Sequence, residues 1–524
     1  MRMARRTAWL ASVLGLALGW AHQASAQAVA APPEAAPVAS QASTVREAWY
    51  TVELLGQRSG WMRSTQTTTS ESITSESEIV LRIKREAVDL KISVQTRFVE
   101  TPEGKPISMR SVQAIGTQPL EQEWEFTPTG VKATSRQNGN VRETRAEAPE
   151  GEWLCPAAAE RFVQARRNAG DKSITLRTID PSVGLKAITV TRAEAGAASL
   201  EILGKKIEAS RAKVTMSGLM GVDSVEYTDA QGELVKSETT LGGLAIVMTL
   251  ATKAEALGGA GAAPPEMMIS TFVTPDRPIE NPRRLGRGEY VLSIGGGEVP
   301  DLPGTGSQSF TRMDAAHVRV GVDAGMPNPA PAADGANKAL LEPSSVADTR
   351  DEKVQAVYRR ALARMDQDAG PPRRAESLRR FVHAFIRTKD LSVGFATASE
   401  TARTGVGDCS EHGVLLATLL RCDGIPARVA SGLIYVESGG RGVFGYHMWA
   451  QALLDVDGRQ RWVDLDATLP DATPYDATHI TLGVSDLAGD DPLMSMMNVA
   501  TMLGRLQISI PQAAKAPEPA PDAR

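Results

Sequence analysis

The sequence predicts an α+β protein, in which a mainly antiparallel β region precedes a domain that packs a helix on an antiparallel sheet. Two patterns carry this prediction. From Trp49 to about Lys253, runs such as YTVEL, EIVLRI and LKISVQTRF alternate or cluster apolar and β-branched residues between turn residues. Beyond a Pro/Ala-rich stretch at 327–336, DEKVQAVYRRALARM and AESLRRFVHAFIRT have helical spacing, with Leu378 and Phe381 on one apolar face.

Length and charge narrow the class of protein. A chain of 524 residues is long enough for two or three domains, and 42% hydrophobic residues suffice for real cores. The 57 basic and 62 acidic residues leave a net charge of −5, so nothing in the charge balance favours nucleic acid as a partner.

The first 26 residues predict a secretory signal peptide. Arg2, Arg5 and Arg6 precede an apolar run at 8–20, and the small residues at 24–26 offer a cleavage site. The alternative is an uncleaved anchor, but the run is shorter than the roughly 18 apolar residues of a spanning helix. We therefore expect a periplasmic or secreted protein with no membrane span after signal removal.

Composition shifts divide the rest of the chain. Ala/Pro-rich stretches read as disordered or linking segments, and they separate the β-patterned part from the helical part. The predicted organisation is a signal peptide at 1–26, a disordered linker at 27–44, an antiparallel β domain at 45–255, a linker and β-rich connecting segment at 256–345, a C-terminal domain at 346–510 and a disordered tail at 511–524.

Two turns in the β domain look alike. FVETPEGKPIS from Phe98 and YTDAQGELVKS from Tyr227 each run from an aromatic strand end through an acid and a glycine turn into a new strand. Either a hairpin has been duplicated or both use common turn chemistry. A short helix is expected at AAAERFVQARRN, directly after Cys155 and Pro156.

The stretch GDCSEHGVLLATLLRCDGIPAR predicts a buried helix with a cysteine at its first position. Asp408 is a favourable N-cap, and Glu411 three residues later completes a capping box, so that Cys409 begins the helix. The following GVLLATLL is apolar on nearly all sides, which is typical of a buried helix. Gly424 and Pro426 end it.

This position makes Cys409 a candidate nucleophile. The thiolate is the reactive form of cysteine, and the unpaired amides and dipole of a helix N-terminus favour it. The same amides could stabilise an oxyanion in a reacting acyl group.

The alternative for Cys409 is a disulfide or a structural thiol. Cys422 lies 13 residues further along the helix, roughly 20 Å away, whereas a disulfide needs Cα atoms within about 7 Å. Cys422 is therefore expected to be a small core residue. Cys155 could bond either one, and with three cysteines at least one stays unpaired within the chain.

His447 is the best candidate for a base among six histidines. It lies in GVFGYHMWAQALLDVDGRQRWVDLDATLP, which predicts two strands around a DG turn. His412, one turn after Cys409, could assist or simply pack. His317 and His383 are expected to be ordinary packed or surface residues, and His479 has no clear role. His22 is expected to leave with the signal peptide.

The hairpin register selects an aspartate. If Asp457 and Gly458 form the loop, paired positions sum to 915 and His447 is a diagonal neighbour of Asp466; if the loop centres one residue earlier, they sum to 913 and the two face each other. Asp464 has the same parity but lies about 6.6 Å further along the strand. Asp466 is therefore the predicted orienting residue, although a β-bulge would reverse this choice.

These residues suggest a catalytic constellation. Cys409 would attack as nucleophile, His447 would take its proton or share an ion pair, and Asp466 would fix the tautomer and stabilise the charge of the imidazole. The alternative is three unrelated core residues.

The segments GDCSEHGVLLATLLRCDGIPARVASGLIY, YHMW and RWVDLDATLP resemble the bacterial transglutaminase-like domain. The likeness covers about 400–482, the helices from about 346 fit the same domain, and 45–330 is not explained by it. The resemblance implies that Cys409, His447 and Asp466 match the family's catalytic triad, in a papain-related α+β fold without metal or organic cofactor. Asp464 stands where many members have another residue.

The resemblance implies acyl chemistry on a protein or peptide substrate. A Cys-His-Asp site forms a thioester, which water or an amine then resolves. Bacterial members are often described as cysteine proteases, so hydrolysis as a peptidase or amidase is the leading expectation. Two alternatives stay open: a protein-glutamine γ-glutamyltransferase that crosslinks to amines, and a non-catalytic envelope binding protein whose β region is the working part. The oligomeric state is not predicted.

Overall fold

A computed structural model describes most of the chain between residues 43 and 511. The described residues are 43–85, 88–115, 118–137, 140–217, 222–241, 243–258, 264–265, 271–295, 297–331, 334, 338–388, 396–487, 502 and 504–511. The predicted signal peptide at 1–26, nearly all of the linker at 27–44 and nearly all of the tail at 511–524 lie outside these residues.

Twenty-two strands and six α-helices occur in the described part of the chain. The strands are β1 Thr44–Leu54, β2 Gln57–Thr68, β3 Ile73–Arg85, β4 Val88–Glu100, β5 Pro106–Ile115, β6 Gln118–Thr127, β7 Gly130–Gln137, β8 Asn140–Ala146, β9 Ser173–Ile179, β10 Ala187–Ile202, β11 Lys205–Ser217, β12 Val222–Thr228, β13 Leu234–Leu241, β14 Leu244–Ala251, β15 Arg287–Ile294, β16 Gln308–Arg312, β17 His317–Asp323, β18 Ala427–Ser438, β19 Arg441–Val456, β20 Arg459–Leu465, β21 Ile480–Ser485 and β22 Leu506–Ser509. The helices are α1 Pro156–Asn168, α2 Lys253–Gly258, α3 Glu352–Leu362, α4 Pro371–Phe385, α5 Ala398–Thr404 and α6 Cys409–Cys422.

The N-terminal region is one antiparallel sheet of fourteen strands in the order β8-β7-β6-β5-β4-β3-β2-β1-β14-β13-β12-β11-β10-β9. Its strands show the period of two that the sequence indicates. On β1, Tyr50, Val52 and Leu54 are buried, whereas Thr51 and Glu53 between them are half-buried. The predicted antiparallel β region is confirmed.

The two look-alike turns lie at either side of helix α1. Each has a β-bulge before the turn and a glycine with positive φ, +88° at Gly104 and +87° at Gly232. A Cβ on Gly104 would lie 2.9 Å from Ala158 Cβ, and one on Gly232 would lie 2.7 Å from Gln164 Oε1. Both turns therefore favour glycine for its backbone conformation, and at Gly104 the close approach to Ala158 of α1 adds a second reason.

A four-stranded sheet in the order β16-β17-β15-β22 follows the N-terminal sheet. It includes a strand from the far end of the chain, because β22 pairs with β15. Gln308, at the start of β16, donates from Nε2 to the Thr481 carbonyl at 2.8 Å and accepts from Thr481 N at 2.8 Å. This sheet is thereby joined to the C-terminal domain through hydrogen bonds to its backbone.

The C-terminal domain packs helices α3 to α6 around a sheet in the order β20-β19-β18-β21. Helix α6 is buried along nearly its whole length and lies against β19. The approach is close at Gly413, where a Cβ would come within 3.2 Å of Met448 Cγ. The predicted α+β class, with a helix packed on an antiparallel sheet, is confirmed.

No helix within the described ranges has the length and apolarity needed to cross a membrane.

Candidate active site

Helix α6 begins at Cys409 through the predicted capping box. The Asp408 carboxylate accepts from Ser410 N at 2.9 Å, and the Glu411 carboxylate accepts from Asp408 N at 2.7 Å. Glu411 also accepts from Ala396 N at 2.8 Å, which ties the residues just before α5 to the start of α6. Burial, reinforced by the Asp408 carboxylate, raises the pKa of Glu411.

The hairpin has the first of the two predicted registers. Asp457 and Gly458 form the loop, with φ of +55° and +74°, the left-handed values of a two-residue hairpin turn. Ala450 pairs with Leu465, the last residue of β20. Asp466 therefore comes directly after the paired strand, diagonal to His447.

The structure brings His447 and Asp466 into direct contact. His447 Nε2 donates to Asp466 Oδ2 at 2.7 Å, and both residues are buried. Thr468 secures the other carboxylate oxygen, since its backbone N and its hydroxyl donate to Asp466 Oδ1 at 2.8 Å and 2.6 Å. Because Nε2 bonds to Asp466, the other ring nitrogen, Nδ1, points away from this carboxylate.

Asp464 has different partners. Its Oδ1 accepts from Trp449 Nε1 and Gln451 Nε2, each at 2.8 Å, and its Oδ2 accepts from Ser307 N at 2.7 Å. The structure thus places Asp466, and not Asp464, in hydrogen-bonding distance of His447. Asp464 fixes the sheet against the connecting segment.

Cys409 lies at the start of the helix that covers the strand of His447. Gly413, one turn after Cys409 on the same helix face, packs on Met448 and Trp449, the residues that come after His447. Cys409 itself is 5% exposed. The N-terminal half of α6 therefore packs on the middle of β19.

Cys155 and Cys422 lie away from the start of α6, and burial suppresses the thiolate form of both. All three cysteines are thiols and none forms a disulfide. Burial raises the pKa of Cys155 well above its ordinary value and raises that of Cys422 to about 12, with Glu100 and Asp423 respectively adding to the shift. Both are therefore poor thiolates at neutral pH, and the predicted Cys409–Cys422 separation is seen as opposite ends of one helix.

Helix α4 supports the loop that carries Asp466. Arg379, buried on the apolar face of α4, donates from Nη1 to the Asp466 and Leu469 carbonyls at 3.4 Å and 3.0 Å. His383, expected to be an ordinary residue, donates from Nδ1 to the Ala467 carbonyl at 3.0 Å. The only sequence signal for the Arg379 contacts is the presence of an arginine on an otherwise apolar helical face.

The remaining histidines fall outside the predicted triad in different ways. His412 donates from Nδ1 to the Asp408 carbonyl at 2.5 Å and so supports the start of α6. His317 is exposed on β17 beside Asp314. His479, for which the sequence suggested no role, is fully buried, and its Nε2 lies 3.3 Å from Asp466 Oδ2.

His447, Asp466 and His479 also form a set whose ligand atoms all lie within 4.8 Å of one another, as in a metal site. However, His447 Nε2 and Asp466 Oδ2 are 2.7 Å apart. Two ligands of a tetrahedral zinc, each about 2.0–2.1 Å from the ion, are held roughly 3.3 Å apart. The observed contact is a hydrogen bond. That no metal is needed stays a prediction.

A comparison with family models matches residues 345–467 to the transglutaminase-like superfamily. The chain contains a transglutaminase-like domain. The match begins before α3 and ends one residue after Asp466, so it spans Cys409, His447 and Asp466 but not His479.

Solved structures with similar regions are distant. A β-barrel-like domain of unknown function from Brucella abortus has 13% identity and a TM-score of 0.30, covering 39% of this chain and 94% of that one. A candidate cysteine protease from Cytophaga hutchinsonii has 13% identity and a TM-score of 0.25, covering 42% and 83%. The periplasmic domain of TgpA from Pseudomonas aeruginosa, bound to ethylmercury, has 13% identity and a TM-score of 0.24, covering 38% and 87%. None of these likenesses supports a functional statement, and a comparison with curated proteins gave no match.

Proposed function

We propose that the protein is an exported transglutaminase-like enzyme that hydrolyses amide bonds in a protein or peptide through a thioester on Cys409. The observation that supports the proposal is the buried hydrogen bond of 2.7 Å between His447 and Asp466. His447 lies on β19, the strand that α6 covers, and Cys409 is the first residue of α6. A buried histidine oriented by a carboxylate is the arrangement that activates a cysteine nucleophile.

The first half of the reaction makes the acyl-enzyme. His447 Nδ1 takes the proton of the Cys409 thiol, and Sγ attacks the amide carbonyl carbon to form a tetrahedral oxyanion. The N-terminal amides of α6 stabilise this oxyanion. The C–N bond then breaks, the His447 imidazolium gives its proton to the leaving amine, and a thioester remains on Cys409.

The second half releases the acid. Water attacks the thioester carbonyl while His447 accepts one of its protons. The C–S bond then breaks, and the sulfur regains a proton from His447. Asp466 stays ionised throughout and stabilises the imidazolium in both halves. Hydrolysis is preferred over acyl transfer because water needs no second binding site.

Export is part of the proposal. It is supported by the basic start, the apolar run and the small-residue site in the first 26 residues. An enzyme with a reactive thiol in an oxidising compartment benefits from having that thiol shielded, and Cys409 is 5% exposed and forms no disulfide.

The experiment compares the unmodified protein with Cys409→Ala and, as a matched control, Cys422→Ala. Each is incubated with a quenched fluorescent peptide library and with a labelled alkylamine. We expect peptide cleavage by the unmodified protein and by Cys422→Ala, with no cleavage by a folded Cys409→Ala. Incorporation of the amine without cleavage would replace hydrolysis by acyl transfer. Neither product, together with an inert Cys409, would favour the non-catalytic binding protein.

A further inference from the structure

His479 lies beside His447 and contacts the same oxygen of Asp466. Its Nε2 is 3.3 Å from Asp466 Oδ2, the same oxygen that accepts from His447 Nε2 at 2.7 Å. The centroids of the two imidazole rings are 5.7 Å apart. One carboxylate oxygen therefore joins two buried histidines, only one of which the predicted triad uses.

The contacts of His479 require a proton on both ring nitrogens. Nδ1 lies 2.9 Å from the Asp476 carbonyl oxygen, which can only accept a hydrogen bond. Nε2 faces the Asp466 carboxylate, which also accepts from His447 and Thr468. Burial alone would lower the pKa of His479, but Asp476 and the hydrogen bond to Asp466 together raise it above its ordinary value. These contacts therefore favour the imidazolium form of His479.

A second set of contacts holds this cation in place. Tyr475 stacks on the His479 ring at 4.2 Å, and the Trp449 ring meets it edge-on at 5.2 Å. Behind it, the Asp476 carboxylate forms an ion pair with Arg283 at 2.6 Å. Although burial would raise the pKa of Asp476, His479 and Arg283 lower it, so this carboxylate stays charged opposite the imidazolium.

We propose that His479 is a positioning residue that acts as a fixed cation, holding Asp466 in place and limiting how strongly Asp466 stabilises the imidazolium of His447. This inference rests on the proposed function, because it concerns the base of the same reaction. His479 is fully buried, and its hydrogen bond to the site goes to Asp466. It lies beyond the end of the matched domain segment at residue 467.

A positive charge at this distance has two consequences. Removing it lets the carboxylate stabilise the His447 imidazolium more strongly, which raises the pKa of His447 by about one unit. It also removes one of the donors that orient Asp466, which lowers kcat without changing KM because the substrate site is untouched. If His479 had only a structural role, replacing it would lower the thermal stability and leave the pH profile of Cys409 alkylation unchanged.

The test uses His479→Gln, His479→Phe and, as a control, His317→Gln on the exposed face of β17. Glutamine places an amide nitrogen near the position of Nε2 and keeps the donor without the charge, whereas phenylalanine keeps the ring on Tyr475 and removes both. For each variant, the rate at which iodoacetamide alkylates Cys409 is measured against pH by peptide mass spectrometry. Where peptide cleavage is detected, kcat and KM are measured as well.

The alkylation rate of Cys409 should have an inflection at high pH, where the His447 imidazolium loses its proton. We expect this inflection to move up by about one pH unit in both His479 variants. We also expect kcat to fall about a hundredfold in His479→Phe, which removes the donor to Asp466, and to change by less than about threefold in His479→Gln, which keeps it. His317→Gln should match the unmodified protein. Ring ¹⁵N NMR of the unmodified protein should show His479 doubly protonated across neutral pH, a reading that needs no variant to fold. A neutral His479, or an unmoved inflection in His479→Gln, would overturn the inference while leaving the triad intact. An inert Cys409 in the unmodified protein would instead remove the proposed function.

Discussion

Asp464 and Asp466 lie two residues apart, and the hairpin gives each its own set of donors. Asp466 accepts hydrogen bonds from His447 and Thr468. Asp464 accepts hydrogen bonds from Trp449, Gln451 and Ser307 N. The same substitution at the two positions should therefore separate catalysis from stability.

Asp466→Asn should abolish most activity while leaving the fold intact. An amide nitrogen turned toward His447 Nε2 cannot accept its proton, so the imidazole takes the wrong tautomer, and a loss of kcat of about 10⁴ is the effect known for such a change. Peptide cleavage and thermal unfolding of the variant measure the two quantities. Loss of less than about tenfold would show that Asp466 does not orient the base.

Asp464→Asn should have the opposite effect. Asparagine offers one acceptor oxygen where Asp464 serves three buried donors, so at least one donor loses its partner, at about 1–3 kcal/mol of unfolding free energy. Denaturant unfolding gives the free energy, and kcat of the folded fraction should stay near that of the unmodified protein. A catalytic defect as large as that of Asp466→Asn would contradict the assignment.

Among single residues, the sequence predicts those whose positions are set by local rules. The capping box fixes Cys409 as the first residue of α6, and the positive φ values required at Asp457 and Gly458 fix the register that brings Asp466 to His447. His479 could not be predicted, because its place beside Asp466 depends on how the segment after the hairpin folds back. Arg379 was missed for a similar reason, since its partners are carbonyls of a distant loop.

Helix α1 is the element that organises the N-terminal sheet. The carboxylate of Glu100 accepts from Ala157 N and Ala158 N at 2.9 Å and 3.0 Å and so supplies the negative group that a helix N-terminus favours. The turns at Gly104 and Gly232 close on the helix from two sides. The sequence shows that these two turns are alike, but not that they share a partner, because that contact joins residues far apart in the chain.

Glu160 on α1 makes the stability of this region depend on pH. Burial raises the pKa of Glu160 to about 8, and nearby Glu233 adds to the shift, while Gln66 Nε2 donates to its carboxylate at 2.9 Å. The unfolded chain loses this proton near its ordinary pKa of about 4.3, so between about pH 4.5 and about pH 8 the folded state holds the extra proton. Stability must therefore fall as pH rises through that window.

Glu160→Gln should remove this dependence. Glutamine can still accept from Gln66 but does not titrate, so the Tm of the variant relative to the unmodified protein should increase from about pH 5 to about pH 8. Thermal unfolding at several pH values measures the difference, and Glu125→Gln, on the exposed side of β6, is a suitable control. A difference in Tm that is constant with pH would show that Glu160 does not titrate in this range.

At the scale of the whole molecule, the connecting sheet supports the loops of the candidate site. Tyr290 on β15 donates to the Ala477 carbonyl at 2.8 Å, next to Asp476, and Gln308 bonds the Thr481 backbone just beyond His479. Strand β22 returns from the end of the chain to pair with β15. The segment predicted as a linker and β-rich connection at 256–345 thus reaches the residues behind Asp466.

Long-range pairing is the part of the architecture that the sequence does not reveal. Period and turn chemistry identify the strands of the N-terminal region and the C-terminal helices, and the α+β class rests on them. The pairing of β22 with β15 leaves no local signal, because a four-residue strand such as LQIS can join any free edge.

Activation of the Cys409 thiol by His447 can be tested by the rates at which the three cysteines are alkylated. Iodoacetamide labelling across a range of pH, read by peptide mass spectrometry, compares Cys409 with Cys155 and Cys422, whose thiol pKa values are raised by burial. We predict that Cys409 reacts at neutral pH at least about a hundredfold faster than either, and that His447→Gln removes this advantage. Activation by His447 would be contradicted if Cys409 reacted no faster than the other two cysteines. It would also be contradicted if Cys409 kept its alkylation rate and pH profile in a folded His447→Gln variant.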